Sequence, residues 1–316
     1  MKVSSVCVIG GTGFLGSHVV RQLAARGIRV RVPTRRRERA KALIVLPTVD
    51  VFNADVHNPA TLERAIGNCD AVISLVGILH EARSGDFARM HTELARKIVD
   101  ACRKTGLRRL LHVSALKVAH DAPSAYLRSK ADGEQQIHVA EASGIRTTIF
   151  RPSVIFGPED RFLNVFGRLA QTLPAILLPC PKARFQPVYV DDVARALVES
   201  LELSQSYGRT FELCGPATYT LQELVKYVSR LLQVERPILP LNDEMSHLLA
   251  WMMEWSPVKL LSRDNYQSMK VANVCDCPFP AVFGFLPSAL EAVVPTYLLD
   301  NTPRARYRWF RFRARH

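Results

Sequence analysis

The sequence predicts an α/β fold in which a doubly wound parallel sheet is followed by a smaller C-terminal α/β lobe. Three observations support this prediction. Short apolar runs alternate with helical stretches over residues 1–150, the runs are rich in β-branched residues, and a glycine-rich turn follows the first run. Such alternation is typical of a parallel sheet that is covered by helices on both faces.

The elements of the first half can be assigned in order along the chain. The predicted strands are VCVI, IRVRV, VDVFNA, AVISLVG, RLLHVSA and IRTTIF, and the helical stretches after the first five are Ser17–Arg26, Arg39–Leu43, Thr61–Ile66, Phe87–Lys104 and Tyr126–Ala142. The strands are apolar along their whole length, which indicates burial on both faces of the sheet.

The pattern loosens after Arg151, and a proline-rich piece is followed by a strand-to-helix junction at PVYVDDVARALVESL. Thr220 and Glu223 have the spacing of a capping box at the start of the next helix. Further helices are predicted over Asp243–Trp255, Arg263–Lys270 and Ser288–Leu299. We therefore divide the chain into a cofactor-binding domain (1–150), a mixed substrate lobe (151–303) from which residues 188–201 return to the core, and a basic tail (304–316).

Composition limits the classes of protein that the chain can belong to. The 316 residues are 48% apolar with a mean hydropathy of +0.02, so a sizeable core can form although no run is long enough to cross a bilayer. MKVSSVCVIGG has one lysine before its apolar run and leads directly into the glycine turn, which favours a first strand over a secretion signal. The seven scattered cysteines suit a reducing compartment, and we expect a cytoplasmic protein, with a peripheral membrane location as the alternative.

The net charge of +13 is concentrated in two places. The segment Thr34–Ala42 holds five basic residues against one acidic residue, and Arg304–His316 holds six arginines and no acidic residue. A nucleic-acid-binding protein would spread its basic residues along one face, so this class is not favoured. The tail also carries four aromatic residues, which fits contact with an anionic lipid surface or an acidic protein; a solvated, disordered end is the open alternative.

The segment GGTGFLG, directly after the first strand, predicts a dinucleotide site. Pyrophosphate needs a close approach to backbone that lacks Cβ atoms, and it needs the free N–H groups at the start of a helix. The predicted contacts are Gly10, Gly11, Thr12, Gly13, Phe14, Leu15 and Gly16. An ordinary tight turn is the alternative, but the strand-turn-helix context disfavours it.

The second predicted strand is followed by arginine, which decides the expected cofactor. NAD sites usually hold the ribose 2′-hydroxyl with an acidic residue at this place, whereas arginine binds a 2′-phosphate through charge-assisted hydrogen bonds. Arg35 and Arg36 therefore predict NADP, while Arg37 and Arg39 are more simply the start of a solvated helix. Asp55 after the third strand is expected either to accept from the adenine amino group or to form a turn.

These motifs resemble those of extended short-chain dehydrogenases/reductases, which have a Rossmann fold. The resemblance rests on GGTGFLG, Asp55-Val56, SLVG, HVSA, Tyr126-x-x-x-Lys130, RPSVIFGP and PVYVDD, in order over about two-thirds of the chain. LLSRDNYQSMKVANV and PSALEAVVPTYL are further similar to the atypical branch that is named for the nucleotide-binding accessory subunit of respiratory complex I.

The resemblance implies a catalytic Tyr126 whose pKa is lowered by Lys130, one helical turn away. It implies cofactor contacts at Val56, Val76, Gly77, Lys130, Pro152 and Ser153. The family's serine or threonine, which binds the substrate oxygen, is replaced here by Ala115, and strand alternation is expected to turn Ser114 to the other face.

Two functions follow from these predictions and stay open. One is an NADP-dependent oxidoreductase or epimerase that acts on a small-molecule substrate, with Tyr126, Lys130 and Ser114 as catalytic candidates. The other is a non-catalytic nucleotide-binding subunit or assembly factor, which the alanine at position 115 favours. Two further predictions concern structure. Asp191 and Asp192 cap a helix, and the cluster Trp251, Met252, Met253 and Trp255 packs into the core, with the lining of an apolar pocket as the alternative.

Overall fold

The structure is a computed structural model that describes residues 2–234, 236–256 and 260–299. The predicted basic tail, 304–316, lies outside the described residues. Within the described ranges, no helix is long and apolar enough to cross a membrane.

Among the described residues, seven strands form the central sheet, and short strands form three small pairs outside it. In chain order the strands are β1 Ser5–Ile9, β2 Arg29–Thr34, β3 Val49–Asn53, β4 Ala71–Ser74, β5 Arg109–Val113, β6 Arg146–Pro152, β7 Ile155–Phe156, β8 Ile176–Leu178, β9 Arg184–Phe185, β10 Val188–Tyr189, β11 Arg209–Leu213, β12 Tyr219–Thr220 and β13 Ile238–Pro240. The central sheet has the order β11-β6-β5-β4-β1-β2-β3, and every pair in it is parallel. The predicted doubly wound sheet is therefore confirmed, and its order reverses between β1 and β4, where ligands bind in such folds.

Helices cover both faces of this sheet. They are α1 Phe14–Ala25, α2 Lys41–Ile44, α3 Pro59–Ile66, α4 Leu94–Thr105, α5 Ala125–Glu141, α6 Leu163–Thr172, α7 Val190–Ser200, α8 Leu221–Leu231, α9 Asp243–Glu254, α10 Arg263–Met269 and α11 Leu290–Leu298. One face buries Val19 of α1 with Val193 of α7, and the other buries Leu62 of α3, Ile98 of α4 and Ile137 of α5. Burying apolar side chains on both faces stabilises the sheet by roughly 25 cal/mol per Å² removed from water.

The edge strand β11 was not predicted from the sequence. Its residues RTFEL pair with β6 from Arg209↔Thr148 to Leu213↔Pro152. The strand is exposed at its start and buried only at Leu213. An edge strand with this half-solvated pattern lacks the continuous apolar run that identified the six central strands.

The C-terminal lobe is built around smaller clusters of apolar residues. The predicted capping box is confirmed, because the hydroxyl of Thr220 accepts from the amide of Glu223 and the carboxylate of Glu223 accepts from the amide of Thr220. The predicted core packing of the α9 aromatic cluster is wrong for three residues: Trp251, Met252 and Trp255 are 45%, 57% and 80% exposed. The helical period was read correctly, but α9 packs against α10 through Ala250 and Tyr266 on one side only, and Trp251, Met252 and Trp255 stay exposed on the other.

Cys214, directly after β11, forms a disulfide with Cys275, which the scatter of the cysteines did not predict. The two residues are 61 positions apart in the chain, so only the fold brings them together. Cys7 and Cys102 are buried free thiols, as expected for small apolar side chains in strands and helices.

Candidate functional site

The glycine turn has a backbone that only glycine can supply. Gly10 has a φ of +86°, and a Cβ atom on Gly16 would lie 2.2 Å from the carbonyl oxygen of Gly10. The Gly13 amide donates to the same oxygen at 3.0 Å. The turn is thus closed by its own backbone, and it leaves a cradle without side chains at the carboxyl end of β1.

Helix α1 begins immediately after this turn, with Gly13 as its N-cap. Among the described residues no side chain caps this end, and the first turn contains no acidic residue. The N–H groups at the start of a helix carry a partial positive charge and seek an acceptor. A diphosphate is the acceptor that such a turn and helix together bind, so the residues present fit the pyrophosphate of a dinucleotide.

The loop after β4 lies beside the glycine turn, because β1 and β4 pair in the sheet from Val6↔Ala71 to Ile9↔Ser74. A Cβ atom on Gly10 would be 3.2 Å from the backbone nitrogen of Val76, and one on Gly77 would be 3.3 Å from the Nζ of Lys130. The predicted contacts Val76, Gly77 and Lys130 therefore lie together at the point where the strand order reverses.

The arginines after β2 differ in what they contact. Arg35 and Arg36 are exposed, and within the described chain their guanidinium groups form neither an ion pair nor a side-chain hydrogen bond. Arg37 instead donates from Nε to the Val51 carbonyl at 2.8 Å. The carboxylate of Asp55 accepts from the His57 amide at 3.0 Å, which is a turn contact.

Helix α5 carries Tyr126 and Lys130 one turn apart. Ser124 caps it by accepting from the Leu127 amide at 3.2 Å. A second residue, which was not predicted, supports this end: Asp264 of α10 accepts from the Ala125 amide at 2.6 Å and from the Tyr126 amide at 3.2 Å. A carboxylate on these amides is stabilised by the positive end of the helix, and it links the C-terminal lobe to the start of α5.

Lys130 is buried, with 4% of its surface exposed, and its Nζ donates to the Val113 carbonyl at 3.0 Å. Burial lowers the pKa of Lys130 to about 8, although the nearby Glu134 carboxylate acts in the opposite direction. Burial also raises the pKa of Tyr126 to about 12. The phenol is therefore protonated at neutral pH in this structure, and the lowered pKa that the resemblance implied is not found here.

Two buried polar residues lie at the carboxyl end of β5, His112 within the strand and Ser114 directly after it. His112 and Ser114 are 4% exposed each, and among the described residues neither side chain has a hydrogen-bond partner. Burial and the charge of Lys130 hold the pKa of His112 well below its usual value. The Ser114 amide donates to the Phe150 carbonyl at 2.8 Å, and the expected orientation of its hydroxyl stays a prediction.

Ala115 is the residue that the resemblance sets where the family has a serine or threonine. It packs against the same small apolar cluster as Tyr126, formed around Val118 and Leu127. Its side chain is a methyl group, which donates no hydrogen bond to a substrate oxygen.

Two buried groups near Lys130 were not identified from the sequence. His91 lies between the loop after β4 and α5, and burial with the charge of Lys130 lowers its pKa to about 3. Glu134, 3% exposed, accepts from Arg151 at 2.9 and 2.6 Å. Neither contact has a local sequence signal, because each joins segments that are distant along the chain.

The remaining predicted residues lie at strand ends. Pro152 ends β6 and Ser153 follows it; both are buried, and the Ser153 hydroxyl donates to Asn273 Oδ1 at 2.6 Å. Asp191 and Asp192 are not caps: Asp191 pairs with His18 Nδ1 at 2.6 Å, and Asp192 accepts from the Ser288 amide at 2.6 Å. Tyr189 is the N-cap residue of α7, and the two aspartates lie in its first turn.

Comparison with known proteins agrees with this geometry. Residues 6–214 match the NAD dependent epimerase/dehydratase family. The mitochondrial NADH dehydrogenase (ubiquinone) 1 alpha subcomplex subunit 9 of Mus musculus is 35% identical over 70% of this chain and 59% of its own. The ceramide reductase of Caulobacter vibrioides is 33% identical over 61% of this chain and 59% of its own. The chain thus spans about three-fifths of the length of each of these relatives.

The fold has solved counterparts. The NADPH-dependent quinone oxidoreductase QOR2 of Escherichia coli, solved with NADPH, superposes with a TM-score of 0.73, covering 93% of this chain and all of its own at 16% identity. The structure titled gox2253 also has a TM-score of 0.73, with 94% and 97% of the two chains covered at 21% identity. At these identities the likeness concerns the fold, and it agrees with the predicted α/β architecture.

Proposed function

Because the chain belongs to the NAD dependent epimerase/dehydratase family, we propose that it is an NADPH-dependent reductase of a carbonyl compound, with Tyr126 as the proton donor. The observation that carries the proposal is the juxtaposition of the glycine turn, Gly77 and the buried Lys130 at one end of the sheet. Burying a lysine is unfavourable for packing alone, so a buried lysine beside a dinucleotide cradle indicates a functional role.

Arg35 and Arg36 would hold the 2′-phosphate of NADP. Their guanidinium groups are exposed and have no internal partner within the described residues, so no existing ion pair has to be broken. The glycine turn and the start of α1 would hold the pyrophosphate, and Val76 with Gly77 would border the nicotinamide side. When bound, NADPH supplies a hydride.

The protonation states favour reduction over oxidation or epimerisation. A phenol with a pKa near 12 carries its proton at neutral pH, so Tyr126 can donate a proton to a carbonyl oxygen that becomes an alkoxide. Lys130, with a pKa of about 8, is mostly protonated at pH 7 and stabilises this developing negative charge. Removing a proton from an alcohol would instead require the phenolate, which burial disfavours here.

Because residue 115 is an alanine and not a serine or threonine, we expect the reaction to be slow. Loss of one donor to a developing oxyanion costs about 10²–10³ in kcat in other enzymes. Restoring a hydroxyl with Ala115→Ser should therefore raise the rate if the substrate oxygen lies beside Tyr126.

The test is NADPH consumption across a carbonyl panel that includes nucleotide sugars and long-chain ketones, the latter because one relative is named a ceramide reductase. We expect turnover in the wild type, loss in Tyr126→Phe and a gain in Ala115→Ser. Tyr207→Phe is the control, because this half-buried tyrosine contacts Arg109 and Arg146 at the amino ends of β5 and β6, opposite the cofactor cradle. Equal rates in wild type and Tyr126→Phe would remove the phenol from the mechanism.

A second candidate function is a non-catalytic accessory subunit that docks on a membrane-associated respiratory assembly. The exposed apolar face of α9, formed by Met245, Leu248, Trp251 and Met252 with Trp255 just after the helix, favours it, since patches of this kind suit protein interfaces. The mouse relative is named a subunit of NADH dehydrogenase. Co-fractionation with respiratory complexes should be lost in Trp251→Ser but kept in Leu286→Ser, an equally apolar exposed residue outside this face. If neither variant alters co-fractionation, α9 is not the docking face.

The basic tail would assist such an attachment by contacting anionic lipid. Its six arginines and four aromatic residues provide charge and interfacial side chains. Deleting residues 304–316 should abolish sedimentation with phosphatidylserine vesicles at low salt. Binding that survives both the deletion and high salt would exclude the electrostatic mechanism, and binding to an acidic protein alone would identify a protein partner.

A further inference from the structure

His91 contacts two parts of the candidate site at once. It lies in a π-helical turn, Ala88–Glu93, which precedes α4, and only 3% of its surface is exposed. Its Nε2 is 3.1 Å from the amide of Ile78, in the loop after β4, and its Nδ1 is 2.8 Å from the hydroxyl of Ser129 on α5. Turns of this rare kind occur often at functional sites.

The contacts determine the tautomer of the imidazole. The Ile78 amide can only donate, so Nε2 must be the acceptor and the proton must be on Nδ1. The Nδ1–H group then donates to Ser129 Oγ, and the Ser129 hydroxyl donates to the Tyr126 carbonyl at 2.8 Å. Each group in this series is a donor to the next, so the series has one direction, from the loop to the Tyr126 turn of α5.

The ring is also held by packing. Phe87 stacks on it with ring centroids 5.5 Å apart, and the Tyr126 ring meets it edge-on at 5.6 Å. On α5, a Cβ atom at position 133 would lie 2.6 Å from the His91 carbonyl oxygen, so Gly133 allows the helix to approach this turn closely. Because the ring is tightly packed, a displacement of the loop after β4 would be passed through it to α5.

The charge state supports the same arrangement. Burial and the charge of Lys130 keep the imidazole neutral at physiological pH, and a protonated ring would have no acceptor for the Ile78 amide. A neutral imidazole adds no second positive charge beside the buried ammonium group of Lys130. A second buried charge would be costly there, because little water reaches Lys130 to solvate it.

We propose that His91 is a positioning residue that couples the loop at 76–78 to the Tyr126–Lys130 helix, so that the cofactor loop and the proton donor adopt their geometry together. The proposal rests on the proposed function for the identity of the cofactor. The coupling itself concerns only this chain and can be measured without a cofactor.

The first test examines the bridge in the protein without added nucleotide. In His91→Phe we expect the Ile78 amide to exchange with solvent at least tenfold faster, because its acceptor is lost. Nitrogen-15 NMR should show the Nδ1–H tautomer of His91 from pH 5 to pH 8. Titration of His91 near pH 6.5, or unchanged exchange at Ile78, would overturn the proposal.

The second test measures the dissociation constant of NADPH by fluorescence. We expect His91→Phe and Ser129→Ala each to raise it, by about tenfold and about threefold, and the double variant to be no weaker than His91→Phe alone, because both changes break one bridge. His91→Gln, which keeps an acceptor and a donor, should recover most of the affinity. Ser229→Ala is the matched control, since Ser229 is equally buried but lies on α8.

The outcomes separate the two proposals. Absence of NADPH binding in the wild type would refute the proposed cofactor while the exchange of Ile78 still decides the coupling. Additive losses in the double variant, or a His91→Gln variant as weak as His91→Phe, would show that His91 acts only through general packing, and the coupling would be wrong.

Discussion

Replacement of Gly16 by alanine tests the dinucleotide cradle most directly. The added Cβ atom would lie 2.2 Å from the Gly10 carbonyl oxygen and 2.7 Å from the Gly11 Cα. Real Cβ contacts stay above 3.0 Å, so the backbone of the turn must move by roughly 0.8 Å, and neither neighbour is a flexible side chain. Overpacking of this kind costs about 1–3 kcal/mol of unfolding free energy.

The effect on binding should exceed the effect on folding. The atoms that must move form the surface expected to contact pyrophosphate, so we expect the dissociation constant of NADPH to rise by about a hundredfold or more, equivalent to roughly 2.7 kcal/mol. Fluorescence titration measures the affinity, and urea unfolding measures the stability of the same preparation. The comparison between them separates a lost cradle from a lost fold.

Gly167→Ala is the matched control for this substitution. Gly167 lies within α6, and an added Cβ atom would meet the nearest side chain, Leu232, at an ordinary 3.4 Å. Alanine is also the better helix former by up to about 1 kcal/mol, so this variant should be at least as stable as the wild type and should bind NADPH normally. A folded Gly16→Ala protein with wild-type affinity would refute the assignment of the cradle.

Three further predictions concern charged groups. Arg35→Ala should reduce the affinity for NADPH by about tenfold to a hundredfold and leave the affinity for NADH unchanged. Lys182→Ala, at an exposed lysine, should change neither affinity. Equal losses of affinity for both nucleotides in Arg35→Ala would exclude a 2′-phosphate contact. Arg151→Met leaves the buried Glu134 carboxylate without its partner and should lower the unfolding free energy, measured with urea at pH 7, by about 3 kcal/mol. The loss should be smaller when the protein also carries Glu134→Gln, and an equal loss in both backgrounds would contradict the ion pair. The pKa of Lys130 is about 8 in the folded protein and higher in the unfolded chain, so the unfolded state binds more protons above pH 8. The unfolding free energy of the wild type should therefore rise between pH 8 and 10 relative to that of Lys130→Met. If urea unfolding gives parallel pH profiles for the two proteins, the lysine is not buried as described.

Much of the fold could be predicted because its signals are local. Six central strands were apparent as apolar runs, and five helices followed them at the expected places. The exposed start of β11 has no such run, and its position beside β6 depends on a pairing between segments about sixty residues apart. For α9, periodicity identified an apolar face but could not say whether another element covers Trp251 or Trp255.

The candidate site divides in the same way. Gly10, Gly13 and Gly16 could be recognised from spacing, since a turn between a strand and a helix is a property of a few adjacent residues. The pKa of Tyr126 could not be predicted from the sequence, because the family pattern implies a lowered value whereas burial in this structure raises it. His91 had no signal at all, since its partners, Ile78 and Ser129, approach it only when α4 and α5 pack side by side.

The order of residues alone determined the parallel sheet, the glycine turn after its first strand and the arginines that follow the second. These features depend on hydrophobic periodicity and backbone freedom, which act between near neighbours in the chain. Only the tertiary structure decided which polar groups are enclosed with Lys130, how Arg151 meets Glu134 and that Cys214 joins Cys275. Burial and electrostatic contact depend on distance in space, and that distance exists only once the helices have packed on the sheet.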